Sequence, residues 1–303
     1  MMSETRLIFD HLPKAAGSSF YTILRRLYAE PDIYYIDGRR VAESVATFRS
    51  LSPREQAAFR CIMGHTAYRL FSLIPEPKTC VTFLREPIDR LVSHYFYVRR
   101  NAGHRLHEPL TTQNMSLDKY VCSDMSVEFV NPTTRLLSGL SAEAVAADMQ
   151  GAYEAARAAI DRDFVVVGVQ DRFDESLLLL QHRLGWRTLP PYRRENVTRG
   201  RPAADTLGAD ARVEVERRNW ADIQLYQYCA DRLDQALQAE IPDLPTRLAR
   251  YQRRCRAHAR YRATTKPLRK AKDYVNLQVK RGGARTLRIL GVPRRFYSKG
   301  EAG

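Results

Sequence analysis

Short apolar runs alternate with longer amphipathic segments along the first 240 residues, which predicts strands alternating with helices. The predicted strands are 6–10, 33–36, 59–63, 79–84 and 164–168. The predicted helices are 17–29, 40–50, 87–101, 141–161, 174–184 and 209–239. The polar segment 102–125 predicts a loop or lid, and the proline-bearing segment 186–207 predicts a loop. This order indicates an α/β fold with a parallel sheet covered by helices on both faces, and ligands at the carboxyl ends of the strands.

A lysine-bearing loop lies between the first predicted strand and the first predicted helix. It carries Lys14, Gly17, Ser18 and Ser19. Backbone N–H groups at a helix start, a lysine charge and two hydroxyls are typical of a phosphate site. Lys14 precedes Gly17, whereas the Walker A order GxxxxGK[ST] places the lysine after the glycine. A nucleotide kinase that binds ATP is therefore disfavoured.

A second candidate phosphate site follows the strand at 79–84. Arg85 stands at the strand end, Pro87 suits the first turn of the next helix, and Ser93 lies on that helix. An arginine there can bind a phosphate with two hydrogen bonds, and the serine can donate to the same group. The alternatives are an ion pair of Arg85 with an acidic neighbour, Glu86 or Asp89, and a serine bonded to its own backbone. Two such sites predict a ligand with two separated phosphates.

These two segments carry a resemblance to a known family. PKAAGSS at 13–19 and TFLREPIDRLVSHY at 82–95 resemble the 5′-phosphosulfate and 3′-phosphate motifs of sulfotransferases that use 3′-phosphoadenosine-5′-phosphosulfate (PAPS). Further matches follow in order at 64–65, 131–139, 167–177, 195–198 and 219–226. Over residues 6 to about 240 the chain is similar to the group that includes the uronyl and heparan sulfate 2-O-sulfotransferases.

The resemblance implies a P-loop-NTPase-like sulfotransferase fold and an activity of the EC 2.8.2 type. A sulfuryl group would pass from PAPS to a hydroxyl of a carbohydrate, such as a glycan, a glycolipid or an exopolysaccharide precursor, and leave 3′-phosphoadenosine-5′-phosphate (PAP). The implied donor-binding residues are Lys14, Ala16, Gly17, Ser18, Ser19, Arg85 and Ser93. Lys14 would also act in catalysis by contacting the bridging oxygen of the leaving phosphate.

His65 is the predicted general base. It follows Gly64 at the end of the strand 59–63, which places an imidazole at the cleft edge of the sheet. The reference pKa of histidine, about 6.5, suits proton abstraction near neutral pH, and the resemblance puts a catalytic histidine at this position. The alternative is a histidine that caps the following helix start. Asn131 and Arg135 are candidate substrate-binding residues, with a structural ion pair as the alternative for Arg135.

The positive charge of the chain is concentrated near its C-terminus. Residues 246–299 hold 18 of the 49 Lys and Arg residues and one acidic residue, Asp273. We therefore predict a sulfotransferase domain over 1–245 and a basic helical extension over 246–303. The extension contains an amphipathic helix that is broken near Pro267. This helix could lie on an anionic membrane, bind a polyanionic acceptor or bind nucleic acid weakly, and the alternative is a solvated tail. We favour the membrane or glycan, since no aromatic stacking platform accompanies the charge.

Other sequence features limit the cofactors and the compartment. Five widely spaced cysteines include no CxxC pair, and no HExxH motif occurs, so we predict neither disulfides nor a catalytic metal. No signal-peptide core and no run of roughly 20 apolar residues is found. We expect a bacterial, cytoplasmic enzyme, peripheral at the inner face of the membrane. The alternative function is a noncatalytic adenosine-nucleotide-binding protein that docks on membranes or polyanions through its tail.

Overall fold

A computed structural model describes residues 5–38, 40–193 and 206–264 of the 303-residue chain. The described residues form one sheet with the strand order β2-β3-β1-β4-β5. The strands are β1 (Arg6–Asp10), β2 (Ile33–Ile36), β3 (Cys61–Gly64), β4 (Lys78–Leu84) and β5 (Phe164–Val169). Every neighbouring pair is parallel, so each connection crosses over the sheet. The five predicted strands are confirmed.

Helices flank this sheet and confirm the predicted α/β fold. They are α1 (Gly17–Leu27), α2 (Val41–Ser50), α3 (Pro53–Ala58), α4 (Pro87–Arg100), α5 (His107–Thr112), α6 (Leu117–Val121), α7 (Pro132–Ser138), α8 (Ala142–Ala147), α9 (Met149–Asp163), α10 (Phe173–Arg183), α11 (Ala209–Arg218) and α12 (Trp220–Glu240). Short 3-10 helices lie at Glu30–Asp32, Ala67–Leu73, Val127–Phe129 and Gln170–Arg172.

The central strand β1 sets the position of the candidate site. Its residues Leu7, Ile8 and Phe9 are buried, as expected for a parallel strand covered on both faces. In the register of β1 with β3, Asp10 pairs with Gly64. The residues that follow these two, His11 and His65, therefore leave the sheet side by side at its carboxyl edge.

Two predicted long helices are each broken in the structure. The prediction of one helix over 141–161 is wrong, because α8 ends and α9 begins at Asp148, whose side chain accepts a hydrogen bond from the Gly151 N–H at 2.8 Å and caps α9. The prediction of one helix over 209–239 is also wrong. Asn219 interrupts it, because its side-chain oxygen accepts a hydrogen bond from the Asn131 N–H at 3.0 Å.

The predicted loop at 102–125 contains the two short helices α5 and α6. Leu106, Leu110 and Tyr120 from this segment are buried in an apolar cluster with residues of α4 and α11. This burial explains why a mostly polar segment is ordered as helix. The predicted loop at 186–207 has no helix or strand over 187–193, and residues 194–205 lie outside the described residues.

The chain divides after Gln252 into two units. The first holds the sheet and α1–α12, and its last residues, 244–252, are helical. In the second, residues 253–264 are helical, and the predicted break near Pro267 lies outside the described residues. The predicted domain boundary at residue 245 stays a prediction. Among the helices of the described ranges, none combines the length and apolar character needed to cross a membrane.

Candidate active site

The loop between β1 and α1 curls its backbone where the sequence predicts a phosphate site. Lys14 and Ala16 have φ angles of 68° and 65°, in the left-handed region. Ala16 is the residue that precedes the first turn of α1, and alanine has no side-chain acceptor with which to cap the helix. An anion bound here would interact with the amide groups and the positive dipole end that a capping side chain satisfies elsewhere.

Gly17 allows the ring of His11 to pack against the start of α1. A Cβ atom at position 17 would lie 1.9 Å from Cδ2 of His11 and 2.1 Å from its Nε2. The His11 ring also stacks on Phe9 with centroids 5.7 Å apart and meets Tyr21 edge-on at 4.9 Å. Glycine is therefore needed at position 17 because the His11 ring packs directly against it. The sequence motif alone does not indicate this contact.

His65 is held by the backbone of the same loop. Its Nδ1–H donates a hydrogen bond to the carbonyl oxygen of His11 at 2.7 Å. The two imidazole rings stack with centroids 4.4 Å apart and an interplanar angle of 18°. Gly38 also lies close to this ring, since a Cβ atom there would come within 2.7 Å of Cδ2 of His65. Because a carbonyl oxygen only accepts, the neutral His65 ring carries its proton on Nδ1 and has a lone pair on Nε2.

Burial keeps both histidines in their neutral form. It lowers the pKa of His65 below its usual value, although the hydrogen bond to His11 and the carboxylate of Glu128 act in the opposite direction. Burial, with the nearby His65 and Lys14, lowers the pKa of His11 to about 3. A neutral His65 at pH 7 is in the state that a general base requires.

Arg85 connects the end of β4 to the phosphate loop. Its Nη1–H donates to the carbonyl oxygen of Lys14 at 3.1 Å, and its Nε–H donates to Oδ2 of Asp89 at 2.6 Å. The ion pair with Asp89 that the sequence left open is thus present, and the same guanidinium also braces the loop. Ser93 lies on α4 one turn beyond Asp89 and is buried. The structure therefore places Arg85 against the loop that carries Lys14.

Tyr97 belongs to this region and was not predicted from the sequence. The ammonium of Lys14 lies 3.9 Å from the centre of its ring, within cation–π distance. The Tyr97 hydroxyl accepts a hydrogen bond from Nδ2 of Asn101 at 3.0 Å, and the ring meets His104 edge-on at 5.7 Å. Tyr97 stands four residues after Ser93, one helical turn further, and that spacing is the signal that could have identified it.

A second group of polar side chains is centred on His94 and Glu128. His94 is 4% exposed, and its Nδ1 is hydrogen-bonded to the Tyr120 hydroxyl at 3.0 Å. Its Nε2 lies 3.6 Å from Oε2 of Glu128. Burial, reinforced by Arg90 and other nearby cations, lowers the pKa of His94 to about 3, so the ring is neutral. No sequence motif marks Glu128, which lies in the 3-10 turn Val127–Phe129.

Asn131 and Arg135 occupy different surroundings from the loop. Asn131 is 1% exposed, its Nδ2 donates to the carbonyl oxygen of Arg218 at 2.9 Å, and its Oδ1 accepts from the Asp222 N–H at 3.0 Å. This geometry favours a packing role. Nη1 of Arg135 donates to the carbonyl oxygen of Val127 at 2.7 Å. Substrate contact by either residue stays a prediction.

The fold and the site together define the class. The lysine loop follows β1, His65 follows β3 and Arg85 follows β4, which agrees with the carbohydrate sulfotransferase class that the sequence resembles. Residues 19–280 match the galactose-3-O-sulfotransferase family, and the chain belongs to that family. The match begins inside α1, after Lys14, and continues past residue 245, the predicted domain end.

Individual relatives are similar over part of the chain. Heparan sulfate 2-O-sulfotransferase 1 of Gallus gallus and that of Mus musculus are each 23% identical to it over 199 residues, which are 59% of this chain and 54% of the relative. The Homo sapiens protein is 22% identical over the same length. The chain thus spans about half the length of the curated relatives it matches.

These findings confirm the predicted carbohydrate sulfotransferase family. The EC 2.8.2 activity of this chain and its use of PAPS stay predictions. The findings do not favour the alternative of a noncatalytic nucleotide-binding protein. The bacterial origin, the cytoplasmic location, the absence of a catalytic metal and the binding of a membrane stay predictions.

Proposed function

We propose that this protein transfers a sulfuryl group from PAPS to a hydroxyl of a carbohydrate, with His65 as the general base and PAP as the second product. The family match and the heparan sulfate 2-O-sulfotransferase relatives support a sugar hydroxyl as the acceptor. The acceptor would be part of a glycan, a glycolipid or an exopolysaccharide precursor.

The hydrogen bond from His65 to the loop backbone is the observation that carries this proposal. With Nδ1–H donated to the His11 carbonyl oxygen at 2.7 Å, the basic nitrogen of the neutral ring is Nε2. That nitrogen can take the proton of the acceptor hydroxyl as the oxygen attacks sulfur. General bases of this kind contribute about 10²- to 10⁴-fold to the rate.

The lysine loop would hold the phosphosulfate. The start of α1, with Ser18 and Ser19, offers amide and hydroxyl donors, and the left-handed backbone at Lys14 and Ala16 shapes the loop around an anion. The bound donor supplies the sulfuryl group and a phosphate leaving group. The Lys14 ammonium would stabilise the negative charge on the bridging oxygen, an effect worth about 3 to 4 kcal/mol for one well-placed donor.

Arg85 and Ser93 would recognise the 3′-phosphate. Arg85 is held at the loop by the Lys14 carbonyl oxygen, and its Nε and Nη2 both contact Asp89. The second N–H groups of Nη1 and Nη2 would then donate to a phosphate. Ser93 follows Asp89 by one turn on the same face of α4, which suits a second donor to that phosphate.

The basic C-terminal residues 246–299 would bind the polyanionic acceptor or an anionic membrane surface. In the part described, Arg253, Arg254, Arg256, Arg260 and Arg262 are exposed on one short helical segment. Basic residues at an anionic surface contribute about 1 kcal/mol each. We keep 1–245 as the proposed catalytic domain.

Calorimetry with PAP and AMP tests the donor site. We expect PAP to bind more tightly than AMP, and Arg85→Ala to remove the difference, because the 3′-phosphate then loses a charged partner. The same full-length protein is then assayed with PAPS. His65→Ala should lose turnover by about 10²- to 10⁴-fold with PAP affinity unchanged. Equal affinity for PAP and AMP would refute the donor assignment, and undiminished turnover in His65→Ala would refute the base.

A further inference from the structure

The carboxylate of Glu128 is charge-compensated but has hydrogen-bonding capacity left. Its Oε2 lies 3.6 Å from Nε2 of His94, and its Oε1 lies 3.5 Å from Nη2 of Arg105. The contact with Arg105 is an ion pair, whereas the His94 ring is neutral. Within the described residues no hydrogen bond reaches either carboxylate oxygen. The side chain is 43% exposed. A carboxylate offers about four acceptor sites, so this one can accept hydrogen bonds from a ligand.

The position of Glu128 is fixed by its backbone. Nη2 of Arg90 donates to its carbonyl oxygen at 3.0 Å, and its own N–H donates to Oγ of Ser126 at 3.2 Å. Ser126 Oγ also accepts from Nη2 of Arg105 at 2.8 Å. Arg90 is itself buried, 7% exposed, which makes it a rigid support. These hydrogen bonds fix the turn that carries the Glu128 carboxylate.

A series of ring contacts connects this carboxylate to Lys14. The Lys14 ammonium lies 3.9 Å from the Tyr97 ring centre, Tyr97 meets His104 at 5.7 Å, and His104 meets His94 at 5.5 Å. His94 in turn faces Glu128. The carboxylate is also near enough to raise the pKa of His65. Glu128 is thus within electrostatic range of the proposed base and contacts His94, which is itself within range of the Lys14 charge.

We propose that Glu128 binds the acceptor, with its carboxylate accepting a hydrogen bond from a hydroxyl of the sugar other than the one that is sulfated. This inference rests on the proposed function. A hydroxyl donates well to a carboxylate, and the ion pair with Arg105 partly offsets the negative charge of Glu128. Loss of a hydrogen bond to a charged group corresponds to an affinity loss of about 10- to 100-fold.

The test compares Glu128→Gln with Glu108→Gln, a matched change at an exposed residue of α5. Initial rates are measured with PAPS and methyl β-D-galactopyranoside or methyl β-D-glucopyranosiduronic acid, and with the monodeoxy analogues of whichever is sulfated faster. We expect Glu128→Gln to raise the acceptor KM at least about tenfold with PAP affinity unchanged. One monodeoxy analogue should lose about the same factor with wild type and Glu108→Gln, but not with Glu128→Gln.

An unchanged acceptor KM in Glu128→Gln would overturn this role while leaving the proposed function intact. So would equal losses of rate with every deoxy analogue in the wild type and in Glu128→Gln. Failure of the wild type to bind PAP or to sulfate either glycoside would overturn the proposed function and this inference with it. If Glu128→Gln does not fold, Glu128→Asp, which keeps the charge on a shorter side chain, takes the same measurements. A KM equal to that of the wild type in Glu128→Asp with unchanged deoxy losses would also contradict the proposal.

Discussion

Replacing Gly17 with alanine is expected to disrupt the phosphate loop through a single side-chain clash. The new Cβ would lie 1.9 Å from Cδ2 and 2.1 Å from Nε2 of His11. Carbon atoms in contact are normally about 3.5 to 4.0 Å apart, so the ring or the helix start must shift by about 1.5 Å or more. At an ordinary helical position the same substitution would be favourable by about 0.5 to 1 kcal/mol.

The His11 ring has little room to move. It stacks on His65 at 4.4 Å, meets Tyr21 edge-on at 4.9 Å and is hydrogen-bonded to the Tyr21 hydroxyl at 3.1 Å. Overpacking of such a site costs about 1 to 3 kcal/mol. For a chain of this size we expect Gly17→Ala to lower the Tm by about 2 to 12 °C. Since the clash is at the N-terminus of α1, PAP affinity should fall as well.

Thermal unfolding and calorimetry with PAP measure both effects. Gly103→Ala is the matched control, because its Cβ would meet only Oδ1 of Asn101, at 3.6 Å. His11→Ala removes the ring, so adding Gly17→Ala to that variant should cost less than about 0.5 kcal/mol further. A Gly17→Ala protein with the Tm and PAP affinity of the wild type would refute the packing described for this loop.

Three further predictions concern buried polar groups. Because burial lowers the pKa of His65, kcat/KM should be constant above about pH 6.5 and fall only below it, where the base becomes protonated; an acid midpoint above 6.5 would contradict this. The unfolded chain binds a proton at His94 near pH 6.5, whereas the folded chain binds it only near pH 3. Protonation of His94 in the unfolded chain should therefore lower the free energy of unfolding by about 2 kcal/mol between pH 7 and pH 5. His94→Gln should remove this part of the pH dependence of the unfolding free energy, measured by urea unfolding. An unchanged pH dependence would count against a buried neutral ring at His94. Asp222 accepts hydrogen bonds from the Thr133 N–H and from the N–H and hydroxyl of Thr134. Asp222→Ala should therefore destabilise the fold by about 3 kcal/mol. A loss below about 1 kcal/mol in urea unfolding would argue against these bonds.

The strands could be predicted from the sequence because each is a short apolar run in a parallel sheet. Residues such as Leu7, Ile8 and Phe9 are buried on both faces, and this produces a continuous apolar signal. The helix breaks at Asp148 and Asn219 could not be predicted in this way. The break at Asn219 depends on a hydrogen bond to a residue 88 positions away in the chain, and helical periodicity contains no information about such a contact.

Prediction of the site succeeded where the signal is local and failed where it depends on tertiary contacts. Lys14 lies in the loop after β1 and Arg85 directly follows β4, and the structure brings them together through the Lys14 carbonyl oxygen. Tyr97 and Glu128 reach the same region only because α4 and the turn at Val127–Phe129 pack beside it. The group that orients His65 is the backbone carbonyl of His11. Every residue has such a carbonyl, so the sequence does not indicate this contact.

The hydrogen bonds of the lysine loop connect the two proposed tasks of the site. The carbonyl oxygen of His11 accepts from the proposed base, and the carbonyl oxygen of Lys14 accepts from the proposed 3′-phosphate residue Arg85. A change that displaces the loop should therefore impair donor binding and proton abstraction together. A change confined to the His65 side chain should lower turnover alone. Comparing PAP affinity with kcat in Gly17→Ala and His65→Ala separates these two outcomes, and equal PAP affinity in both variants would mean that the loop does not couple them.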